Sequence, residues 1–263
     1  ITGYREQEEI LNSTYTGEAY TSLYDASRNS QRETFQQELR LTSDLDGPLN
    51  FVLGAAYYTD DVDFNVFGRF GFLPLQVGAA IFDDILQVQA TDQDRESTAF
   101  YIDGTYEMTD STRLSVGWRH TRDEKDFHRL DLGGAGGNPL SNFVFDLSTI
   151  TDPFTNPLPE SSFALNAERN AKFSANTYRV VVDHDFRDNV MVYASFATGF
   201  VAGGFAETCG AYGGCQPFNS EENDSFEIGF KADLLDGRMR LNMAYFDVTY
   251  DSLQRDAVLV VKD

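Results

Sequence analysis

Cys209 and Cys215 are the only cysteines in the chain, and they bracket the run Cys-Gly-Ala-Tyr-Gly-Gly-Cys. Thiols this close in a glycine-rich stretch meet readily, so an oxidising compartment is expected to join them as a disulfide. Closing so short a loop constrains the unfolded chain by at most about 2 to 3 kcal/mol, which makes its effect one of local order. Two cysteines without a nearby histidine supply too few ligands for structural zinc. His120, His128 and His184 stand singly, outside any His-Glu-x-x-His pattern. Carboxylates are plentiful, among them Asp60, Asp61, Asp63, Asp92, Asp94, Asp123, Glu124 and Asp126. None forms the Asp-x-Asp-x-Asp-Gly loop with a terminal Glu that holds calcium, and acids so scattered define no glycosidase pair. Gly133-Gly-Ala-Gly-Gly137 lacks the strand-to-helix setting of a phosphate loop. No metal, cofactor or catalytic set is expected, and the chain does not read as an enzyme.

The elements that carry these residues are extended. Tight connections stand at Asp44-Leu-Asp-Gly-Pro48, Thr109-Asp-Ser111, Arg187-Asp-Asn189 and Leu235-Asp-Gly237, where turn-forming residues supply the backbone angles. Between them lie long connections, placed at Asp60 to Glu96, Glu124 to Lys172 and Val201 to Glu221. In an antiparallel meander every second connection falls at the same end, so all the short turns gather on one side and all the long loops on the other. Bacterial outer-membrane barrels have this asymmetry.

Side-chain alternation supports a barrel. Phe35, Leu39 and Leu41 share one face while Gln36, Glu38 and Arg40 share the other. Phe100, Ile102, Tyr106 and Met108 likewise oppose Tyr101, Asp103, Thr105 and Glu107, and Leu114, Val116 and Trp118 oppose Arg113, Ser115 and Arg119. The pattern repeats at Tyr178, Val180 and Val182, at Val192, Ala194 and Phe196, at Phe226, Ile228 and Phe230, and at Met239, Leu241 and Met243. A half-buried soluble sheet alternates too, but strands of about 10 to 13 residues suit a tilted bilayer crossing, whereas soluble strands average about 5 or 6. No run approaches the ~18 apolar residues of a membrane helix. A net charge of −22 speaks against a nucleic-acid partner, which requires a basic patch. The fold class is therefore all-β: an antiparallel transmembrane β-barrel built as a meander of long strands.

Three stretches carry a resemblance. Thr34-Phe-Gln-Gln-Glu-Leu-Arg-Leu-Thr-Ser43 running into Gly47-Pro-Leu-Asn-Phe-Val-Leu-Gly-Ala-Ala-Tyr-Tyr58 is one, and Val192-Tyr-Ala-Ser-Phe-Ala-Thr-Gly-Phe-Val-Ala-Gly-Gly-Phe205 is the second. The third runs from Ser220 through Phe226-Glu-Ile-Gly-Phe230 and Leu235-Asp-Gly237 to Tyr250. In order and spacing they resemble the barrel of TonB-dependent outer-membrane receptors. Where that family often carries basic residues, after Tyr-Ala-Ser and before Ala-Gly-Gly, this chain has Thr198 and Val201.

The resemblance implies active uptake of a scarce nutrient across the bacterial outer membrane, above all a ferric siderophore. The implied partners are the TonB energy-transducing complex acting through a plug, outer-membrane lipid and lipopolysaccharide, and a small ferric chelate. It also implies that residues 1–263 are an internal part of one larger barrel domain, with the plug and the C-terminal strands lying elsewhere. Cargo recognition would fall to lumen-facing strand ends and long loops, where Phe67, Arg69, Phe70, Phe127, His128 and Arg129 are the candidate contacts: aromatic faces for rings, guanidinium groups for an anionic chelate. Gly199, Gly203 and Gly204 are expected to allow a bend or close approach where a strand leaves the membrane. A passive porin-like channel and a soluble surface lectin or adhesin of long strands are the alternative readings.

Overall fold

The computed structural model describes residues 1–14, 24–70, 85–132, 163–206 and 215–255. They form nine strands: β1 (Thr2–Thr14), β2 (Tyr24–Thr42), β3 (Leu49–Phe70), β4 (Ile85–Thr109), β5 (Thr112–Leu132), β6 (Phe163–Arg187), β7 (Val190–Val201), β8 (Glu221–Leu234) and β9 (Met239–Asp251). Each pairs antiparallel with the next in chain order, giving one open sheet with β1 and β9 at its edges. Among the described residues no helix is long and apolar enough to cross a membrane, which says nothing against crossing by strands.

The short turns gather at one end, as their residue types foretell. Asn50 builds the first with its side chain: Oδ1 accepts from Leu45 N at 2.8 Å, and Nδ2 donates to the Leu45 carbonyl at 3.3 Å. The last turn places Leu235, Asp236 and Gly237 at φ of 55°, 54° and 80°, a left-handed run that glycine enters without strain. Neighbouring turns are laced together by Glu107 N to Pro48 O at 2.7 Å, Asp185 N to Ser111 O at 2.8 Å and Asp233 N to Asn189 O at 2.9 Å.

Because directly paired residues in an antiparallel sheet point to the same side, the register sorts side chains into two faces. One face is apolar near the turns. Leu41, Leu53, Ile102, Trp118 and Tyr178 lie side by side on successive strands, and Phe51, Gly104, Val116, Val180, Phe196 and Phe226 form another such row. These side chains are open rather than packed: Leu39 is 68% exposed, Phe100 59% and Val116 49%. A continuous apolar face of this extent has no stable place in water. On the outward face of β4 the uncharged positions from Thr98 to Met108 span about 33 Å along the strand, or about 25 Å along a membrane normal at the ~40° tilt of such strands. Its centre slides across the sheet, from Val116 on β5 to Phe230 on β8, although Val116 shares its row with Phe226. That stagger is what tilted barrel strands produce.

Aromatic and imidazole groups mark both borders of the band, as interfacial residues do. Trp118 Nε1 donates to Asn176 Oδ1 at 3.2 Å, and His120 Nδ1 lies 3.1 Å from the same oxygen. At the turn end His184 Nδ1 lies 2.8 Å from Thr112 Oγ1, and its ring meets Phe186 edge-on at 4.7 Å.

The strands run well past this band, which corrects the expected loop boundaries. Asp60–Glu96 and Glu124–Lys172 were placed in loops, yet β3 continues to Phe70, β4 begins at Ile85, β5 continues to Leu132 and β6 begins at Phe163. β1 was not foreseen at all. Beyond the membrane neither face need be apolar, so the period-two hydropathy signal vanishes while the backbone ladder persists. Cross-strand pairs take over, as when Arg32 binds Asp60 through two contacts of 2.6 Å.

Candidate ligand-facing wall

The face opposite the apolar band carries the polar chemistry. From the turn end upward, Arg113 Nε donates to Asp183 at 2.7 Å, and Arg179 donates to both Asp103 oxygens at 2.7 and 2.8 Å. Next come Tyr101, Glu38 and Arg40. The Tyr101 hydroxyl donates to Glu38 Oε1 at 2.5 Å, and Arg40 donates to that hydroxyl and to Glu38, both at 3.2 Å. Tyr101 lies flat across its cross-strand partner Gly54, where a Cβ would sit 2.0 Å from the ring. Arg119 stands over the same ring at 5.8 Å.

Higher up, two carboxylates are almost wholly shielded, Asp60 at 6% and Asp123 at 3% side-chain exposure. Each is held by an arginine. Arg32 and Thr34 donate to Asp60, while Arg95 reaches Asp123 at 2.9 Å and stands 5.5 Å from the Tyr58 ring. Buried charges persist only when paired in this way. Lys125 lies beside them on β5, and its Nζ donates to the Gly203 carbonyl at 2.6 Å. Burial and the neighbouring Arg95 draw its ammonium below the ordinary lysine range, while Asp123 works against them.

At the same height on the opposite, outward face, acids stand in register across five strands: Glu6, Glu33, Asp61, Asp94 and Asp126. Like charges so placed repel. Burial first, and then neighbouring carboxylates, raise Asp61 and Asp94 above the usual carboxylate range. One carboxylate oxygen each from Asp61, Asp92 and Asp94 come within 4.8 Å of one another.

The six candidate contacts fall at the far ends of β3 and β5, with β4 between them. The backbone of Phe67, Arg69 and Phe70 closes β3; their side chains lie outside the described part. Phe127, His128 and Arg129 were assigned to a loop and are instead in β5, a correction that follows from the strand extension above. Phe127 is 2% exposed within an apolar cluster with Ala167, Ala171, Phe205 and Cys215. Arg129 is 1% exposed, with Asp131 Oδ1 3.0 Å away and Thr91 Oγ1 accepting from it at 3.5 Å. Cys215 is buried and is not a free thiol, while Cys209 lies outside the described residues, as do Gly133–Gly137. Sequence reasoning passed over Lys125, Phe173 and Phe205. Their common parity with Arg119 and Asp123 along the wall was the available signal for the first, and nothing local marked the others.

Long antiparallel strands, an uncharged outward band and a charged opposite face together define the wall of an outer-membrane-type β-barrel. The family described as TonB dependent receptor-like, beta-barrel matches residues 2–261, and the chain belongs to it. This is a family of outer-membrane transport receptors rather than enzymes. Among solved structures, the ferric yersiniabactin uptake receptor FyuA from Yersinia pestis superposes with a TM-score of 0.73 at 14% identity, over 96% of this chain and 33% of that one. The siderophore receptor PiuA from Acinetobacter baumannii gives 0.57 at 21% identity, over 93% and 36%. The alcaligin outer membrane receptor FauA from Bordetella pertussis gives 0.54 at 16%, over 96% and 34%. At these identities the likeness is one of fold, and the chain spans about a third of each structure's length. No curated protein matches.

Proposed function

We propose that this chain is wall from a TonB-dependent receptor of the bacterial outer membrane that takes up a scarce nutrient, with an anionic ferric siderophore as cargo. The observation that carries the reading is a group of basic side chains on one face, with Arg122 and Lys172, at and past the upper edge of the lipid band, standing on the other. Arg32, Arg40, Arg95, Arg113, Arg119 and Arg179 all stand on the face opposite the lipid band, interleaved with Tyr58 and Tyr101. Guanidinium groups offer paired donors to carboxylate or catecholate oxygens, and the rings offer stacking faces. Energy would arrive from the TonB complex through a plug seated against this wall, while the apolar face meets lipid and lipopolysaccharide. Phe70, which takes the polar-face register of Tyr58 and Asp60, is proposed as a rim contact, whereas Phe67, Arg69 and His128 take the outward register of Asp61 and Asp126 and are not. Phe127 and Arg129, being buried, would act by shaping the wall. A disulfide between Cys209 and Cys215 is proposed on the strength of Cys215 being buried and not free.

Deletion of the full gene tests the reading. The expected result is lost growth on one ferric chelate among a panel of iron chelates, cobalamin and oligosaccharides, restored by the intact gene only where TonB is present. Restoration without TonB would instead mark a passive channel.

A further inference from the structure

The β7–β8 connection was expected only as a long one, from Val201 to Glu221, and its described base folds back over the polar face of β5 and β6. Gly204 and Phe218 form an isolated antiparallel bridge, with hydrogen bonds of 3.3 and 2.8 Å joining the two arms of the connection. Gln254 clasps the same arms by donating from Nε2 to the Ala202 carbonyl at 3.2 Å and to the Asn219 carbonyl at 3.1 Å. The product is a narrow shelf made of residues 202–205 and 215–219.

Two contacts hold this shelf to the wall. Phe205 stacks on Phe127 with ring centroids 4.9 Å apart and planes 15° from parallel. Lys125 reaches the Gly203 carbonyl at 2.6 Å, with its ammonium 5.9 Å from the centre of the Phe173 ring. Gly203 has no room for a side chain, since a Cβ there would come within 2.2 Å of the Phe218 carbonyl oxygen and 2.4 Å of Phe173. A half-buried lysine is a costly way to fill a strand position that an apolar residue could occupy, and strand pairing makes no use of its charge. The charge is used by the shelf.

We propose that Lys125 is a positioning residue that fastens residues 202–205 and 215–219 against β5 and β6, and that the shelf so held sets the width available to cargo along this wall. The second half rests on the uptake reading; the first does not.

The full-length receptor in outer-membrane vesicles separates the two. Lys125→Met keeps the stem and removes the donor. Hydrogen exchange at the Gly204 and Phe218 amides should then quicken about tenfold or more, as loss of a charge-assisted bond implies. Lys125→Arg, which retains a donor and a cation for the ring, should restore protection. In cells, Lys125→Met should raise the KM for the transported chelate about tenfold with maximal uptake kept, and should admit chelates that the parent refuses. If Lys125→Met lowers receptor abundance, Phe205→Ala provides the second release and should show the same exchange and uptake changes. Unchanged exchange in both variants overturns the fastening. Quickened exchange with an unchanged cargo range and KM overturns the role in cargo width. A parent receptor that transports nothing on the panel defeats the uptake reading while the exchange result stands.

Discussion

Val116→Arg lowers the folding stability of the barrel in a bilayer by about 2 to 4 kcal/mol, the penalty for a guanidinium at the hydrocarbon midplane. Val116 sits at the centre of the uncharged stretch of β5, flanked in register by Gly104 and Val180, with no carboxylate in its row on either adjoining strand. The companion substitution Ser115→Arg, one residue away, turns the same group to the polar face beside Thr105 and Val181. It forfeits a 3.0 Å contact between the Ser115 and Thr105 hydroxyls, and its cost stays at or below about 1 kcal/mol. Denaturant titration of the full-length protein folded into vesicles reads both variants. Equal costs at the two positions would mean that the faces are not solvated differently, contrary to this account.

Gly54→Ala has the second large effect, about 1 to 3 kcal/mol, which is the range for forcing extra volume into a filled site. The Tyr101 ring occupies the space above Gly54, so a methyl group there must lever it away from Glu38 and Arg40. The glycine and the tyrosine thus form one unit, the ring covering backbone that glycine leaves bare. A double-mutant cycle exposes the coupling: with Tyr101→Ala already made, Gly54→Ala should be neutral or mildly stabilising, since alanine favours the extended backbone over glycine. Additive losses would show that ring and glycine act separately.

How much of this was legible in the sequence depended on what each segment faces. Met108, Leu114, Tyr178 and Phe226 alternate with polar neighbours because hydrocarbon lies on one side of them, and those strand positions could be read directly. Asp236-Gly237 and Asp46-Gly47-Pro48 announced their turns through backbone chemistry that few residues tolerate. Above the membrane the constraint lapses. Asp60, Arg95 and Asp123 still alternate, but their pattern pairs charge with charge across strands, and such partners are invisible in one dimension. Hence hydropathy alone marks only the membrane part of β3, β4, β5 and β6, and leaves Phe127, His128 and Arg129 looking like loop. The close approach anticipated at Gly203 is real, though its neighbours, Phe218 from the other arm of the same connection and Phe173 from β6, are not adjacent in the chain. Lys125 escaped notice because its partner is a backbone carbonyl 78 residues away.

All of these readings require that lipid tails touch the face bearing Val116 and Ile228. Nitroxides attached singly at Val116, Ile228 and Ser115 in the full-length receptor, reconstituted in bilayers, report this through their accessibility to dissolved oxygen and to a water-soluble nickel chelate. Oxygen should dominate at Val116 and Ile228 and lose that advantage at Ser115. Ready access of the nickel chelate to both apolar positions would contradict the membrane barrel.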